Sequence, residues 1–433
     1  MAKFQVVESA NPYLDSRSFV AKKNSHFILG GVGTAANFTK TAIPGEFCEL
    51  AVLPPLSLYI HIPWCLSKCP YCGFNSHPLH GDIPETAYVE RLLQDLEQET
   101  IDLASPRPLT SVFIGGGTPS LFSGAAITRL LQGVRDLVEL SVDAEITLEA
   151  NPRTTDAARL TAYRQAGVNR LSIGAQSLSA RHLARIARIH GPEDVHSAVD
   201  QARQAGFRNL NLDLMYGLPE QSLVQAYRDL EETLALEPEH IAYYQLSIEP
   251  DTAFHRLPPP IPDEDLIADM QLQGSALLAA RGLEPYEVSA YAPVGHRCRH
   301  NLNYWRFGDY LGIGASAHGK LTFPARRRIE RRWKLRDPAA YLDPANRGCL
   351  ISGKQALSEA DVILEFALNA LRLSEGFDAS LFERRTGLPF ERIANRVDQA
   401  RVAGLLALGQ DHQVRPTELG RRFLNDLLQY FTS

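Results

Sequence analysis

Three cysteines, Cys65, Cys69 and Cys72, stand within eight residues at the spacing C-x3-C-x2-C. Thiolates are soft ligands, so three of them on one short loop can grip one inorganic object. An iron-sulfur cube normally takes four thiolates, and a compact triplet with no fourth leaves one iron open, much as a catalytic zinc keeps a position that a structural zinc closes. A zinc knot completed by His61, His77 or His80 is the alternative. The spacing alone leaves both readings open. The other cysteines, Cys48, Cys298 and Cys349, are scattered. That distribution is no disulfide framework and fits a reducing cytoplasm.

The elements that must position this loop are legible around it. Leu58 to Ile62 alternates β-branched and aromatic residues and reads as a strand that ends at Pro63. Short apolar runs then alternate with amphipathic stretches, and the order repeats through Ser111–Ile114, Glu145–Leu148, Arg170–Ile173, Asn211–Leu214 and His240–Leu246. The intervening stretches, such as Tyr88, Leu92, Leu96 or Ile127, Leu130, Leu131, Val134, have helical spacing, and Gly167 and Gly206 in the repeated phrase QAG close two of them. Strand then helix, six times, predicts an α/β fold with a parallel sheet, a partial (β/α)6 barrel open on one side.

Chemistry in such barrels sits at the carboxyl ends of the strands. After the second run comes Gly115, Gly116, Gly117, Thr118, Pro119, a turn stripped of side chains so that a ligand can approach the backbone. The third run leads to Glu149 and Asn151, the fourth to Gln176 with Arg188 beyond, the fifth to Asp213, and the sixth to Gln245, Ser247 and Glu249. Each alone reads as a solvated loop residue. Together a carboxylate, an amide and an arginine around a glycine-lined turn suit a ligand carrying an ammonium, a carboxylate and ribose hydroxyls.

The 433 residues, 45% of them hydrophobic, suffice for two domains, and a net charge of -6 argues against a general nucleic-acid binder. No apolar run is long enough to span a membrane. Residues 1–52 have no clear period and read as a disordered extension or a misassigned start, with a non-ATG codon at Val52 as the alternative beginning. A core domain is expected over 53–300, a connecting segment over 301–354, and a C-terminal domain over 355–433. In that last part three helical patterns, a hairpin at LLALGQDHQVRP and a final helix resemble a winged-helix module, and nine basic against eleven acidic residues make DNA an improbable partner. The run ARRRIERRWKLR, Ala325 to Arg336, reads as a solvated face or a surface for heme propionates or an acidic partner.

CLSKCPYC and GGGTP together resemble the radical S-adenosylmethionine (SAM) enzymes. PPLSLYIHIPWC, FIGGGTPSLF, EANP, RLSIGAQS, DLMYGLP, HNLNYW and EFALNALRL, in that order, narrow the likeness to the oxygen-independent coproporphyrinogen oxidase group and, within it, to the heme chaperones. The resemblance implies a 4Fe-4S cluster on Cys65, Cys69 and Cys72, and SAM contacts at Tyr59, Gly116, Gly117, Thr118, Glu149, Gln176, Arg188 and Asp213. One departure matters. The porphyrinogen-oxidising relatives carry a fourth cysteine two residues past the third, where this chain has Phe74 after Gly73. That puts coproporphyrinogen decarboxylation in doubt and leaves enzyme activity open, with an active radical SAM oxidoreductase as the alternative. The resemblance further implies heme as ligand, apo-hemoproteins of the respiratory chain as recipients, peripheral contact with membrane-bound targets and a homodimer. Heme needs an axial donor and an apolar surface; His300, beside Tyr304 and Trp305, is the first candidate, with Cys298 and His318 behind it.

Overall fold

The computed structural model describes residues 52–346, 348–409 and 413–432, so the expectations for the N-terminal extension, Cys48 included, fall outside it apart from Val52. In chain order the strands are β1 (Leu56–Ile62), β2 (Trp64–Cys65), β3 (His77–Pro78), β4 (Leu109–Gly116), β5 (Leu140–Ala150), β6 (Arg170–Gln176), β7 (Leu210–Tyr216), β8 (His240–Gln245), β9 (Ala290–Tyr291), β10 (Asp309–Ile313), β11 (His318–Phe323), β12 (Arg328–Lys334), β13 (Ile351–Ala356), β14 (Leu406–Leu408) and β15 (Val414–Pro416). The six predicted strands are β1 and β4 to β8. They lie side by side in that order, all parallel. Helices such as Glu85–Ile101, Gly124–Leu137 and Pro192–Gln204 connect them.

Alternation along these strands separates two environments. Leu58, Ile60 and Ile62 join Val112, Ile114, Leu148 and Leu171 in the apolar layer under the helices. Ser57, Tyr59 and His61 occupy the opposite face, where Ser57 meets Ser111 and Tyr59 stacks near Phe113. The inward face of the neighbouring strands carries Glu145, Glu149, Arg170, Ser172, Asn211 and Asp213, all within one hydrogen-bonded interior. A parallel sheet covered by helices needs one apolar face only. The other face is free to be polar where a ligand is held.

The segment 301–354 is more than a connector. It supplies β10, which pairs parallel to β1 on the side away from β4, and then β11 to β13, antiparallel, to complete an eleven-stranded sheet. The basic run is correspondingly no solvated face. On β12, Arg332 pairs with Glu99 and Glu330, Lys334 with Asp95 and Glu99, and Arg331, on the other face, with Glu365. Asp95 and Glu99 lie one turn apart on the helix Glu85–Ile101, so a buried double ion pair clamps that helix to the added strands. Among the arginines of the run only those at its two ends, Arg326, Arg327 and Arg336, are exposed.

The C-terminal part folds as helices Glu359–Ala370, Ala379–Thr386 and Glu391–Val402, the β14–β15 hairpin, and a last helix broken at Phe423 into Glu418–Arg422 and Leu424–Gln429. Its core includes Phe307 and Ile329 of the sheet extension, so the two regions share one apolar cluster.

Candidate functional site

The cysteine loop is closed at its root by β2 and β3, which pair in parallel, with His77 N donating to Pro63 O at 2.7 Å and Leu79 N to Cys65 O at 2.8 Å. Inside the loop, Cys72 N donates to Cys69 O, and Lys68 Nζ donates to the carbonyls of Phe74 and Ser76 at 3.2 Å each. Gly117 N and Thr118 N donate to Ile62 O and Trp64 O, so the glycine turn is stitched to the root of the cysteine loop.

The three glycines serve this packing first. A Cβ on Gly117 would stand 2.6 Å from Trp64 O, and one on Gly116, whose φ is +114°, would stand 2.5 Å from the His61 ring. Close approach of chain to chain is therefore the leading reason for the triplet, and access for a ligand comes with it, because Gly116 and Gly117 also line the cavity.

That cavity measures about 400 Å³. Cys65, Cys69 and Cys72 line it together with Gly116, Gly117, Thr118, Glu149, Gln176, Arg188 and Asp213, which is every residue expected to contact SAM except Tyr59. Tyr59 sits lower on β1: its hydroxyl meets His61 Nδ1 at 3.0 Å and its ring packs against Phe113 and His300. Gln176 closes β6 at a register break, with φ +68°, and its Oε1 accepts from Tyr244 at 2.6 Å. Tyr244, Tyr71, Lys68 and Ser76 also line the cavity and escaped the sequence reading. The signal for Tyr244 was present, since the β8 alternation places it on the same face as His240.

Glu149 and Asp213 face this space without a cation bonded to either. Glu149 accepts from Gly116 N at 3.0 Å, and burial, reinforced by the charge of Asp213, pushes its pKa up to about 7. Burial likewise raises Asp213 to about 6, against the hydrogen bonds from Asn211 and Ser172. Burial also pushes the Cys65 and Cys72 thiols up, so a positive metal centre is what would draw the thiolates out.

The donor set fits an iron-sulfur cluster better than a zinc knot. Among the described residues no three His, Cys, Asp or Glu side chains converge as a single ion requires. His61, the first candidate to complete a zinc site, has one ring nitrogen on Tyr59 and the other 3.0 Å from Asn75 O. Burial holds it neutral, with a pKa lowered to about 4.

The heme candidates lie elsewhere. His300 is 1% exposed, with Nδ1 3.0 Å from Ser111 Oγ and Nε2 2.8 Å from Tyr304 Oη. Burial lowers its pKa to about 3, and both ring nitrogens, one donating and one accepting, are spent inside the barrel. Tyr304 and Trp305 are buried too, at 4% each, with Arg372 over the indole, so HNLNYW forms a packed helix rather than an apolar surface. Cys298 is buried against Glu145. Only His318, stacked near Trp333, is part-exposed.

Residues 59–233 match the Radical SAM superfamily and residues 357–423 the HemN C-terminal domain. The heme chaperone HemW of Escherichia coli (strain K12) is 49% identical over 379 residues, which cover 88% of this chain and 98% of that protein. This chain belongs to the HemW family. The heme chaperone HemW of Mycobacterium tuberculosis (strain H37Rv) is 34% identical over 375 residues, covering 84% and 91% of the two chains. The solved coproporphyrinogen III oxidase HemN from Escherichia coli, a radical SAM enzyme, superposes with a TM-score of 0.74 at 23% identity, over 88% of this chain and 91% of that one. That likeness speaks to fold alone. Membership of the radical SAM superfamily implies a 4Fe-4S cluster and SAM as cofactors. Among the described residues no helix is long and apolar enough to cross a membrane.

Proposed function

We propose that this chain is a heme chaperone that binds heme and delivers it to apo-hemoproteins, with a 4Fe-4S cluster and SAM at the barrel mouth. The observation that carries the reading is the near full-length identity to HemW, combined with Gly73-Phe74 where a porphyrinogen oxidase would have its fourth cysteine. Respiratory hemoproteins, some of them membrane-bound, are the recipients we infer, and a homodimer belongs to the same reading.

Cys65, Cys69 and Cys72 would hold the cluster, which supplies single electrons to a bound sulfonium. Glu149 and Asp213 offer acceptors for an ammonium or ribose hydroxyls, Gln176 an amide held by Tyr244, and Arg188 a guanidinium for a carboxylate. Tyr59 bonds His61, whose ring packs against Gly116 of the glycine turn. Heme ligation by His300 requires that it exchange its bonds to Ser111 and Tyr304, whereas His318 is part-exposed.

Anaerobic reconstitution, followed by iron, sulfide and heme quantitation on one sample, tests the assignment. Stable heme that passes to an apo-hemoprotein is the expected result. Conversion of coproporphyrinogen III by a protein that retains no heme would replace the chaperone with the oxidase.

A further inference from the structure

Each of the three loop cysteines has its own hydrogen-bonding group at the sulfur, and the three groups come from different parts of the fold. Thr118, at the end of the glycine turn after β4, points Oγ1 at Cys65 Sγ from 3.5 Å. Arg188, beyond the helix Ala180–Arg185, donates from Nη1 to Cys69 Sγ at 3.5 Å. Ser76, inside the loop, stands 3.7 Å from Cys72 Sγ, and must be the donor once that sulfur is a thiolate.

Arg188 differs from the other two in carrying a full charge. Its Nη2 is anchored to Gly174 O at 2.8 Å, which fixes the guanidinium between β6 and the sulfur. Its Nε has no hydrogen-bond partner. Among the described residues no carboxylate lies within ion-pair distance of it, whereas the buried cations Lys320 and Lys334 are paired with Asp309 and Asp95. A half-buried guanidinium with a shielded, unbonded Nε and no carboxylate beside it calls for another anion. A thiolate-bound cluster beside Cys69 is one.

We infer that Arg188, assisted by Thr118 and Ser76, sets the reduction potential of the cluster by stabilising its reduced state. The inference rests on the cluster reading above. The step is a one-electron reduction by an external one-electron donor. No bond is made or broken and no proton moves, and the product is one unit more negative. Hydrogen bonds to the sulfurs and a nearby positive charge favour that more negative state, so the potential rises with them. Arg188 dominates because its charge acts through a low-dielectric wall, whereas the hydroxyls contribute dipoles.

The test is an EPR-monitored titration of the full chain, reconstituted anaerobically without SAM, with dithionite as electron donor. R188Q is expected to lower the reduced-to-oxidised ratio at the wild-type midpoint about tenfold, equivalent to a negative shift of about 59 mV for one electron. R188K, which keeps the charge, recovers part of the loss. The T118V/S76A chain shifts in the same direction by a smaller factor, and bears the test if R188Q fails to load. Midpoints unmoved in loaded variants overturn the inference and leave Arg188 to SAM alone. Wild type that takes up neither iron nor sulfide sinks the cluster reading instead, a result distinct from the first.

Discussion

Glu149 is held in a form that disfavours its own ionisation. Its pKa of about 7 in the folded state exceeds the ordinary 4.5, so the folded chain keeps a proton that the unfolded chain releases. Stability from this group is therefore greatest at low pH and is lost as pH rises from about 4.5 to about 7, by on the order of 3 kcal/mol. Asp213, at about 6 against 3.8, acts in the same direction over a lower window. Glu149→Gln should accordingly raise the thermal midpoint of the cofactor-free chain above pH 7 while weakening SAM binding about tenfold, a trade between stability and function. Calorimetry reads both, and a variant no more stable than wild type at pH 8 would remove the burial argument. Because a cationic ligand restores the charged carboxylates, SAM affinity of the wild type should tighten between pH 6 and pH 7.5 with release of protons to the buffer. His300→Ala removes one hydrogen-bond partner each from Ser111 and Tyr304 in the interior and should cost about 1–3 kcal/mol in urea unfolding. If heme binds there, titration of the variant will show loss beyond that expected from its unfolded fraction.

At the scale of the element, the cysteine loop is positioned by two neighbours with different demands. The glycine turn must lie flat against its root, and Gly116→Ala both forces a Cβ into the His61 ring and imposes a left-handed φ on a residue that resists it. Iron and sulfide content after reconstitution should fall by more than half in that variant, with the far-ultraviolet circular dichroism unchanged. The helix Glu85–Ile101 is tied to β12 by Lys334, and Lys334→Met would leave Asp95 enclosed without its cation and Glu99 with Arg332 alone. Removing one partner of such a group costs about 3–5 kcal/mol. Replacing Lys334, Asp95 and Glu99 together by apolar residues should restore most of that loss, as followed by urea midpoints.

Over the whole molecule, the sheet is wider than its catalytic-type half. β10 extends the parallel strands past β1, and the antiparallel strands that follow carry Ile329, which together with Phe307 joins the core of the C-terminal helices. A buried pair, Arg372 with Glu287, bridges the same regions. With apolar core and charge shared, barrel and C-terminal domain should unfold in one transition. Fluorescence of Trp64, Trp305 and Trp333, all in the larger part, and the circular dichroism of all helices should therefore give coincident urea curves; two separated transitions would show independent units.

Local pattern determined much of this protein. The six parallel strands, the loop bearing Cys65, Cys69 and Cys72, and the rim residues Glu149, Gln176, Arg188 and Asp213 were legible because strand and helix periods, and the rule that sites lie at strand ends, act over a few residues. What tertiary structure alone decided is where groups far apart in the chain meet. The basic run looked solvated because Asp95 and Glu99, its partners, lie more than 230 residues away. His300 looked available for heme because nothing in HNLNYW reveals Ser111 across the barrel. Nothing in the glycine triplet reveals the His61 ring and the Trp64 carbonyl that pack against it from other strands. Burial, pairing and dielectric are properties of the assembled interior, and they convert the same residue from a surface donor into a packed one.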